Sequence, residues 1–210
     1  MRAREVPDLS DESGRTPGDG PLRRGRAYSK RAMAGVRGDE LARIRGAQAG
    51  SLSDLEALFR EHWPRAYRAA YLVVHDGPAA EDIAQESFLA AIRALDRFDR
   101  RRPFGPWLHR IVVNRAIDWA RARALRAEVS DGPLAAVAED DRPSDSFSPP
   151  VVAALSELSP EHRAVIVLRH LLEYTPGEIA ELLELPRGTV NSRLRRGLDE
   201  LAERLEREGR

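Results

Sequence analysis

The sequence predicts an all-α protein made of two small helical domains joined by a flexible linker. Apolar residues recur at steps of three and four in two separate stretches, and an acidic, proline-containing segment lies between them. The chain has 210 residues, 42% apolar and 32% charged, which is enough for two small cores. We expect a disordered tail at 1–47, a first domain at 48–123, a linker at 124–150 and a second domain at 151–210.

The first domain is predicted to contain three amphipathic helices. Apolar residues recur on one helical face over 51–71, and the turn-forming residues 76–78 end this helix. A second helix follows at about 79–95. The loop at 98–106 contains two prolines and a glycine, so it cannot continue that helix, and a third begins near its end and runs into the 120s.

Two segments are too poor in large apolar residues to fold by themselves. Residues 1–47 mix glycine, proline, serine and arginine with little periodicity. Residues 124–150 are acidic and rich in alanine, serine and proline. A flexible chain of this second length has a root-mean-square span of about 30 Å, so it could let two domains occupy separate sites.

The second domain carries a helix-turn-helix pattern. Ser159 and Pro160 supply an N-cap and a first-turn proline for one helix. Residues 175–178, with the sequence TPGE, form a capping box that begins a short helix. The turn at 184–186 ends it, and a longer amphipathic helix begins near Arg187. Two short helices joined by a three-residue turn are typical of DNA-binding proteins.

The beginning of that last helix has the composition of a DNA-reading surface. Residues 187–196 hold four arginines and no acidic residue. Arginine pairs with guanine and asparagine with adenine in the major groove, whereas hydroxyls and the helix N-terminus suit phosphates. An ordinary solvated basic face is the alternative. The predicted DNA-binding residues are Arg187, Thr189, Asn191, Ser192, Arg193, Arg195 and Arg196.

The composition limits the classes of function. The chain contains no cysteine, which excludes disulfides, thiolate metal sites and cysteine nucleophiles. No apolar run is long enough to span a membrane, so we expect a cytoplasmic protein without membrane insertion. No nucleophile-base or phosphate-loop pattern is present, so we expect neither an enzyme nor a cofactor. The net charge of zero conceals two basic blocks, at 97–123 and 187–196, in acidic surroundings.

The first domain has two polar faces with open interpretations. The helix at 79–92 presents Asp82, Gln85 and Glu86, with Glu81 at the edge, and three readings remain: solvated charge, a metal site and a docking surface for a partner protein. In the basic block, Arg97, Arg100, Arg101 and Arg102 precede Arg110, Asn114, Asp118 and Arg121, which share one helical face. Arginines beside Phe98 and Phe104 could bind single-stranded DNA by charge and stacking, although Trp107 is expected in the core.

These residues resemble a family, the extracytoplasmic-function (group 4) sigma factors of bacterial RNA polymerase within the sigma-70 family. AEDIAQESFLAAI, at 80–92, resembles region 2.2, and FGPWLHRIVVNRAIDWAR, at 104–121, resembles regions 2.3 and 2.4. Residues 158–197 are similar to region 4. The two blocks occur in the family's order with a linker between them, which makes the combination more specific than either block.

The resemblance implies partners and roles. It implies binding of core RNA polymerase through the coiled coil of its largest subunit, recognition of promoter DNA, and regulation by an anti-sigma factor. The residues at 187–196 named above would read the −35 element. Docking to polymerase would involve Glu81, Asp82, Gln85, Glu86 and Phe88. Opening and reading the −10 element would involve Arg100, Arg101, Arg102, Phe104, Arg110, Asn114, Arg115, Asp118 and Arg121.

The sequence also departs from the family and leaves alternatives open. Glu184 stands in the helix-turn-helix turn where the family usually has glycine, and residues 1–47 have no counterpart in its minimal form. A stand-alone helix-turn-helix regulator, with the first domain serving dimerisation, is one alternative function. A sigma mimic that only sequesters an anti-sigma protein is another. Association with core polymerase separates the first alternative, and promoter-specific transcription the second, from a sigma factor.

Overall fold

The computed structural model describes residues 30–100, 102–129 and 147–208, with side chains described at 38–100, 102–126 and 147–207. The described residues form eight α-helices and one 3-10 helix and contain no strand, which confirms the all-α class. The helices are α1 (Lys30–Gln48), α2 (Leu52–Val74), α3 (Gly77–Ala94), the 3-10 helix (Leu95–Arg97), α4 (Phe104–Val129), α5 (Pro149–Ser156), α6 (Pro160–His170), α7 (Pro176–Leu183) and α8 (Arg187–Glu208).

Helices α2, α3 and α4 form a first bundle that matches the sequence prediction. Each pair of these helices is in contact, and Leu58, Leu108 and Val112 are fully buried among them. Side-chain caps set the helix starts. The hydroxyl of Ser51 accepts from the Asp54 amide at 3.3 Å, and the Asp76 carboxylate accepts from the Ala79 amide at 3.0 Å.

The N-terminal segment differs from the predicted disordered tail. Helix α1 covers residues 30–48 and packs on α2 through Ile44, which is fully buried, while residues 1–29 lie outside the described residues. Its other anchors are polar: Glu40 Oε1 lies 3.2 Å from His62 Nε2, and Gln48 donates to the Leu95 carbonyl at 2.8 Å. A helix held by so few apolar residues shows little hydrophobic periodicity, which explains the wrong prediction.

Helices α5 to α8 form the second group, in which α6 and α7 pack against α8. Ile166, Ile179 and Val190 are buried in its core. A Cβ added at Gly197 of α8 would lie 3.1 Å from both His162 Cβ and Ile166 Cδ1 of α6. The glycine therefore allows these two helices to approach closely.

The two groups of helices share one hydrophobic core. Helix α6 packs against α2 and α4, α5 against α2, and α7 against α4. At the predicted linker, α4 continues to Val129 and α5 begins at Pro149, while residues 130–146 lie outside the described residues. The domain boundaries and the linker's flexibility stay predictions, but the direct packing of the two groups was not expected.

None of the helices in the described part of the chain combines the length and apolar character needed to cross a membrane.

Candidate nucleic-acid interface

Helices α7 and α8 form the predicted helix-turn-helix, and local hydrogen bonds determine its shape. The Thr175 hydroxyl accepts from the Glu178 amide at 3.3 Å, and the Glu178 carboxylate accepts from the Thr175 amide at 2.7 Å, which completes the capping box. Glu184 ends α7 in the left-handed region, at φ 54° and ψ 42°. Glutamate thus adopts the backbone conformation that glycine usually supplies, at a cost of about 1–2 kcal/mol.

Helix α8 presents its arginines to solvent. Val190 and Leu194 are buried against α6 and α7, which turns the opposite side outward. The outward side carries the whole predicted DNA-binding set: Arg187, Asn191, Arg195 and Arg196 are exposed, and Thr189, Ser192 and Arg193 are half-buried.

The charges on this side of α8 are largely uncompensated. Within the described residues, Arg187, Arg195 and Arg196 form no ion pair. The Ser192 hydroxyl donates to the Thr189 carbonyl at 2.9 Å, which leaves its lone pairs available as acceptors. Three unpaired guanidinium groups on one exposed helix start are chemically suited to a polyanion.

The basic face of α4 is arranged differently, because its arginines already have carboxylate partners. Arg110 pairs with Glu184 in the helix-turn-helix turn, and Arg121 Nε donates to Glu161 of α6 at 2.6 Å. Arg115 pairs with Glu86 of α3 at 2.6 Å. These surface ion pairs are exchangeable, since partly exposed pairs each contribute only about 0–1 kcal/mol.

The remaining residues predicted to read the −10 element divide into exposed and buried groups. Asn114 and Asp118 are exposed on α4, and Arg100 and Arg102 are exposed in the preceding loop, whereas Arg101 lies outside the described residues. Phe104 is only 3% exposed. The prediction that Phe104 stacks on a base is contradicted in this conformation.

Phe104 is a core residue because it lies in an aromatic cluster. Its ring centroid lies 5.8 Å from that of Phe98, 5.6 Å from that of Trp107 and 5.1 Å from that of His62. Phe98 is also buried, so neither phenylalanine of this loop is available for stacking, whereas Trp107 packs against both and is half-buried. Charge, rather than stacking, is what this surface offers to a nucleic acid.

The acidic face of α3 is exposed at Glu81, Asp82, Gln85 and Glu86. The described residues contain no cluster of side chains that could hold a metal ion. Solvated charge and docking of a partner protein are the two interpretations of this face that remain. Phe88, predicted to contact polymerase, is 4% exposed and packs against Phe59 and Trp63. It supports the face from beneath and does not form its surface.

Apolar residues beside these acids were missed by the sequence analysis. Leu89 and Ile92 of α3 and Phe59 of α2 are each more than a third exposed. The apolar period of a helix predicts that one face is buried, but it does not show which apolar residues of that face stay exposed. An exposed apolar patch rimmed by polar residues is typical of a protein-docking site.

Two histidines lie where the two groups of helices meet: His109 is buried, and His75 is half-buried with its Nε2 atom buried. Burial, with a smaller contribution from the charge of Arg163, lowers the pKa of His75 to about 3, although a backbone hydrogen bond with Leu72 opposes the shift. Burial and the nearby His62 and Arg65 lower the pKa of His109 to about 3. Both rings are therefore neutral near pH 7.

Comparisons with known proteins match two family models, one to each group of helices. The model described as sigma-70 region 2 matches residues 58–126, and the model described as sigma-70, region 4, matches residues 150–201. Both matches follow the order expected from the resemblance. Helix α1 lies before the first match.

Similar full-length proteins and solved structures agree with these matches. The ECF RNA polymerase sigma factor SigW of Bacillus subtilis is 31% identical over 79% of this chain and 94% of its own length. CnrH, solved with the cytosolic domain of CnrY, has a TM-score of 0.60 and 28% identity over 80% of this chain and 97% of its own. RpoE of Bartonella quintana, solved with the anti-sigma factor NepR, shares the fold at a TM-score of 0.63, with 24% identity over 74% and 98%.

Proposed function

The chain belongs to the extracytoplasmic-function sigma factors of the sigma-70 family, and from this premise we propose how its surfaces divide the work of transcription initiation. As a sigma factor, it binds core RNA polymerase and directs promoter-specific initiation through the −10 and −35 elements. The observation that carries the division is the exposed arginine face at the start of α8, the second helix of the helix-turn-helix. Residues 187–196 contain no acid, and the same chain carries a second basic face on α4.

We propose that α8 enters the major groove at the −35 element. Asn191, Arg195 and Arg196 are exposed on the first three turns, where side chains of a recognition helix reach base edges. Each good paired contact to a base contributes about 1–3 kcal/mol of discrimination. Thr189 and Ser192 are near the helix start, where hydroxyls and backbone amides suit phosphates.

The exposed side of α4 and the loop before it are proposed to engage the −10 element. Asn114 and Asp118 present hydrogen-bonding groups to solvent, which suits base edges of a separated strand. The arginines of this side, Arg110, Arg115 and Arg121, suit phosphates, and so do Arg100 and Arg102 of the loop. Phe104 is left out of this role because it is in the core.

We propose that polymerase docks on the α3 face through its exposed acids and the apolar residues beside them. Glu81, Asp82 and Gln85 supply charge and hydrogen-bonding capacity, and Leu89 with Phe59 supplies apolar area. The expected occupant is the coiled coil of the largest polymerase subunit, and Phe88 positions the face from the core.

The remaining assignments follow from the family. Sigma factors are initiation factors without enzymatic activity, so no residue is assigned a catalytic role. An anti-sigma factor is a proposed partner, because a protein of the same fold has been solved with one. Action on RNA polymerase places the proposed site of function in the cytoplasm.

Run-off transcription with purified core polymerase on a promoter library tests the function as a whole. The full chain should select a subset of promoters sharing −10 and −35 elements. Absence of polymerase association together with tight duplex binding would indicate a stand-alone regulator. Association without any selective transcription would indicate a sigma mimic.

The docking proposal predicts that the double substitution Asp82→Ala and Glu86→Ala weakens association of the full chain with core polymerase roughly five- to hundredfold, since charged docking residues contribute about 1–3 kcal/mol. Asp82→Ala alone keeps the Glu86–Arg115 ion pair, and it should weaken association with core polymerase less than the double substitution does. Competition binding to labelled core enzyme measures both.

The matched control is the double substitution Asp199→Ala and Glu203→Ala on α8. It removes the same charge at the same spacing from another exposed helix face. Wild-type association of the α3 variant, or equal loss in the control, would remove the docking assignment.

A further inference from the structure

Residues 20–38, here called the basic segment, have no role in the division of surfaces proposed above. The second half of this segment belongs to helix α1, which begins at Lys30. The match to sigma-70 region 2 begins at residue 58, so the basic segment lies outside both family matches. It contains no acidic residue, and its six basic residues are Arg23, Arg24, Arg26, Lys30, Arg31 and Arg37.

Two polar contacts show that α1 runs antiparallel to α2. Arg43 of α1 pairs with Glu61 of α2 at 2.5 Å. Glu40 Oε1, about one turn earlier on α1, lies 3.2 Å from Nε2 of His62, one residue later on α2. Helix α1 therefore runs back along α2 from the turn at 49–51, and the start of α1 lies beyond the level of His62.

The face of α1 that packs on α2 changes from apolar to basic toward the start of the helix. Ile44 is fully buried on this face, and Leu41 is half-buried. Steps of four, three and four residues back along the same face reach Arg37, Ala34 and Lys30. The helix extends about 16 Å from Leu41 to Lys30 without a large apolar residue on this face, so burial in a protein core does not explain these turns.

Arg65 of α2 adds a cation beside this end of α1. It lies in the turn of α2 that follows His62, just as Arg37 lies in the turn of α1 that precedes Glu40. Arg65 is exposed and forms no ion pair within the part of the chain that the structure describes. Its charge also reaches α4, since burial first, and then the charges of His62 and Arg65, lower the pKa of His109 to about 3.

This end of α1 adjoins the surface proposed to bind the −10 element. His62, which contacts α1, also contacts the start of α4, because its ring centroid lies 5.1 Å from that of Phe104. The loop just before Phe104 carries the exposed Arg100 and Arg102. Basic residues therefore continue from this loop, through Arg65, to the basic segment.

The composition of the basic segment suits the backbone of DNA. Lysine and arginine neutralise phosphates without reading base edges, and a duplex carries one phosphate charge per about 1.7 Å of its axis. A membrane surface would require an apolar helix face that enters the lipid, and the face at 30–37 has no large apolar residue. The neighbouring −10 surface brings the same polyanion close to this segment.

We propose that the basic segment is a third DNA-binding element, which together with Arg65 binds promoter phosphates next to the −10 element. This inference rests on the proposed role of α4 and its loop, and it adds a site that neither family match contains. Its contacts are to phosphates, so they contribute salt-dependent affinity and no preference for a base sequence.

DNA binding by the full chain assembled with core polymerase, measured at several salt concentrations, tests this proposal. The test variant is Lys30→Gln with Arg37→Gln, and Arg65→Gln is a second, single variant. The matched control is Arg45→Gln with Arg207→Gln, which removes the same charge as the test variant from two exposed helix positions outside the site. Each variant is measured on a promoter duplex and on a scrambled duplex of equal length.

The test variant should reduce the steepness of the plot of log affinity against log salt by about 1 to 2, because each lost phosphate contact removes about 0.7 to 0.9. Its affinity near 0.1 M salt should fall about tenfold, and by a similar factor on both duplexes. Arg65→Gln should reduce the steepness by about 1 or less. The control should keep the wild-type slope, and competition binding to labelled core enzyme should give equal association for all variants.

Equal salt slopes and equal DNA affinities in the test and control variants would overturn the third DNA-binding element. So would a test variant that loses association with core polymerase and keeps its salt slope, since the basic segment would then bind protein. Failure of the underlying function looks different: the wild-type chain with core polymerase would then bind the promoter and the scrambled duplex equally and direct no promoter-specific transcription.

Discussion

The arginine faces of α8 and α4 have similar chemistry but differ in availability. On α8 three arginines are exposed without ion pairs in the described structure, whereas Arg110, Arg115 and Arg121 of α4 each pair with a glutamate from another helix. The comparison teaches that basic composition alone does not define an accessible nucleic-acid surface. The α8 face can meet duplex DNA as it stands, while the α4 face must first exchange its carboxylates.

Acid should have the largest effect, on stability, because half-buried His75 and buried His109 lie where the two groups of helices meet. No histidine lies among residues 187–196 of α8. His75 and His109 have pKa values lowered from 6.5 to about 3, by burial first and by neighbouring charges second. A depressed folded pKa means that the unfolded chain binds protons first. Their contribution to stability is complete above pH 6.5 and is lost as the pH falls toward 3.

We expect the free energy of unfolding to fall by on the order of 1 kcal/mol per pH unit for each histidine below pH 6.5. Denaturant titrations at several pH values measure this slope. His75→Asn should flatten it, and asparagine tolerates the left-handed φ of 52° found there. An identical slope in the wild-type protein and this variant would show that His75 is not buried as a neutral ring.

Removing arginines from α8 should have the next largest effect, on the affinity for duplex promoter DNA. Arg193→Ala or Arg196→Ala should weaken duplex promoter binding by about 1–3 kcal/mol, or relax sequence preference at one position. Binding to promoter and scrambled duplexes at fixed salt separates these outcomes. Arg207→Ala, on the exposed last turn of the same helix, is the control. Unchanged affinity in the first two variants would mean that α8 does not enter the groove.

Glu184→Gly should have the smallest effect, since two changes oppose each other. Glycine removes the cost of the left-handed conformation at φ 54°, while the ion pair with Arg110 is lost. We expect the free energy of unfolding to rise by about 1 kcal/mol or less, because an exposed pair contributes little. Thermal or denaturant unfolding measures it. A large loss of stability would mean that the Arg110–Glu184 ion pair contributes much of the stability of the contact between the two groups of helices.

Most of the fold was predictable because helices α2 to α4 and α6 to α8 carry strong local patterns. The capping box at Thr175 and Glu178 predicted the start of α7, and the N-cap at Ser159 predicted α6. Helix α1 was not predicted, because Glu40 and Gln48 anchor it through hydrogen-bonding groups that no apolar period reveals. The site residues were predicted from composition and from the family resemblance, and their roles stay predictions. The burial of Phe104 and Phe88 was not predicted, because composition does not show burial.

By itself, the sequence determined the all-α class, the helix-turn-helix and the two basic faces, because helix periodicity, capping and charge are properties of neighbouring residues. Only the tertiary structure decided which basic face is free. Arg110 and Glu184 are 74 residues apart in the chain, and Arg121 and Glu161 are 40 apart. Whether such groups meet depends on how distant helices pack, and the burial of Phe104 depends on the same packing, which no local pattern encodes.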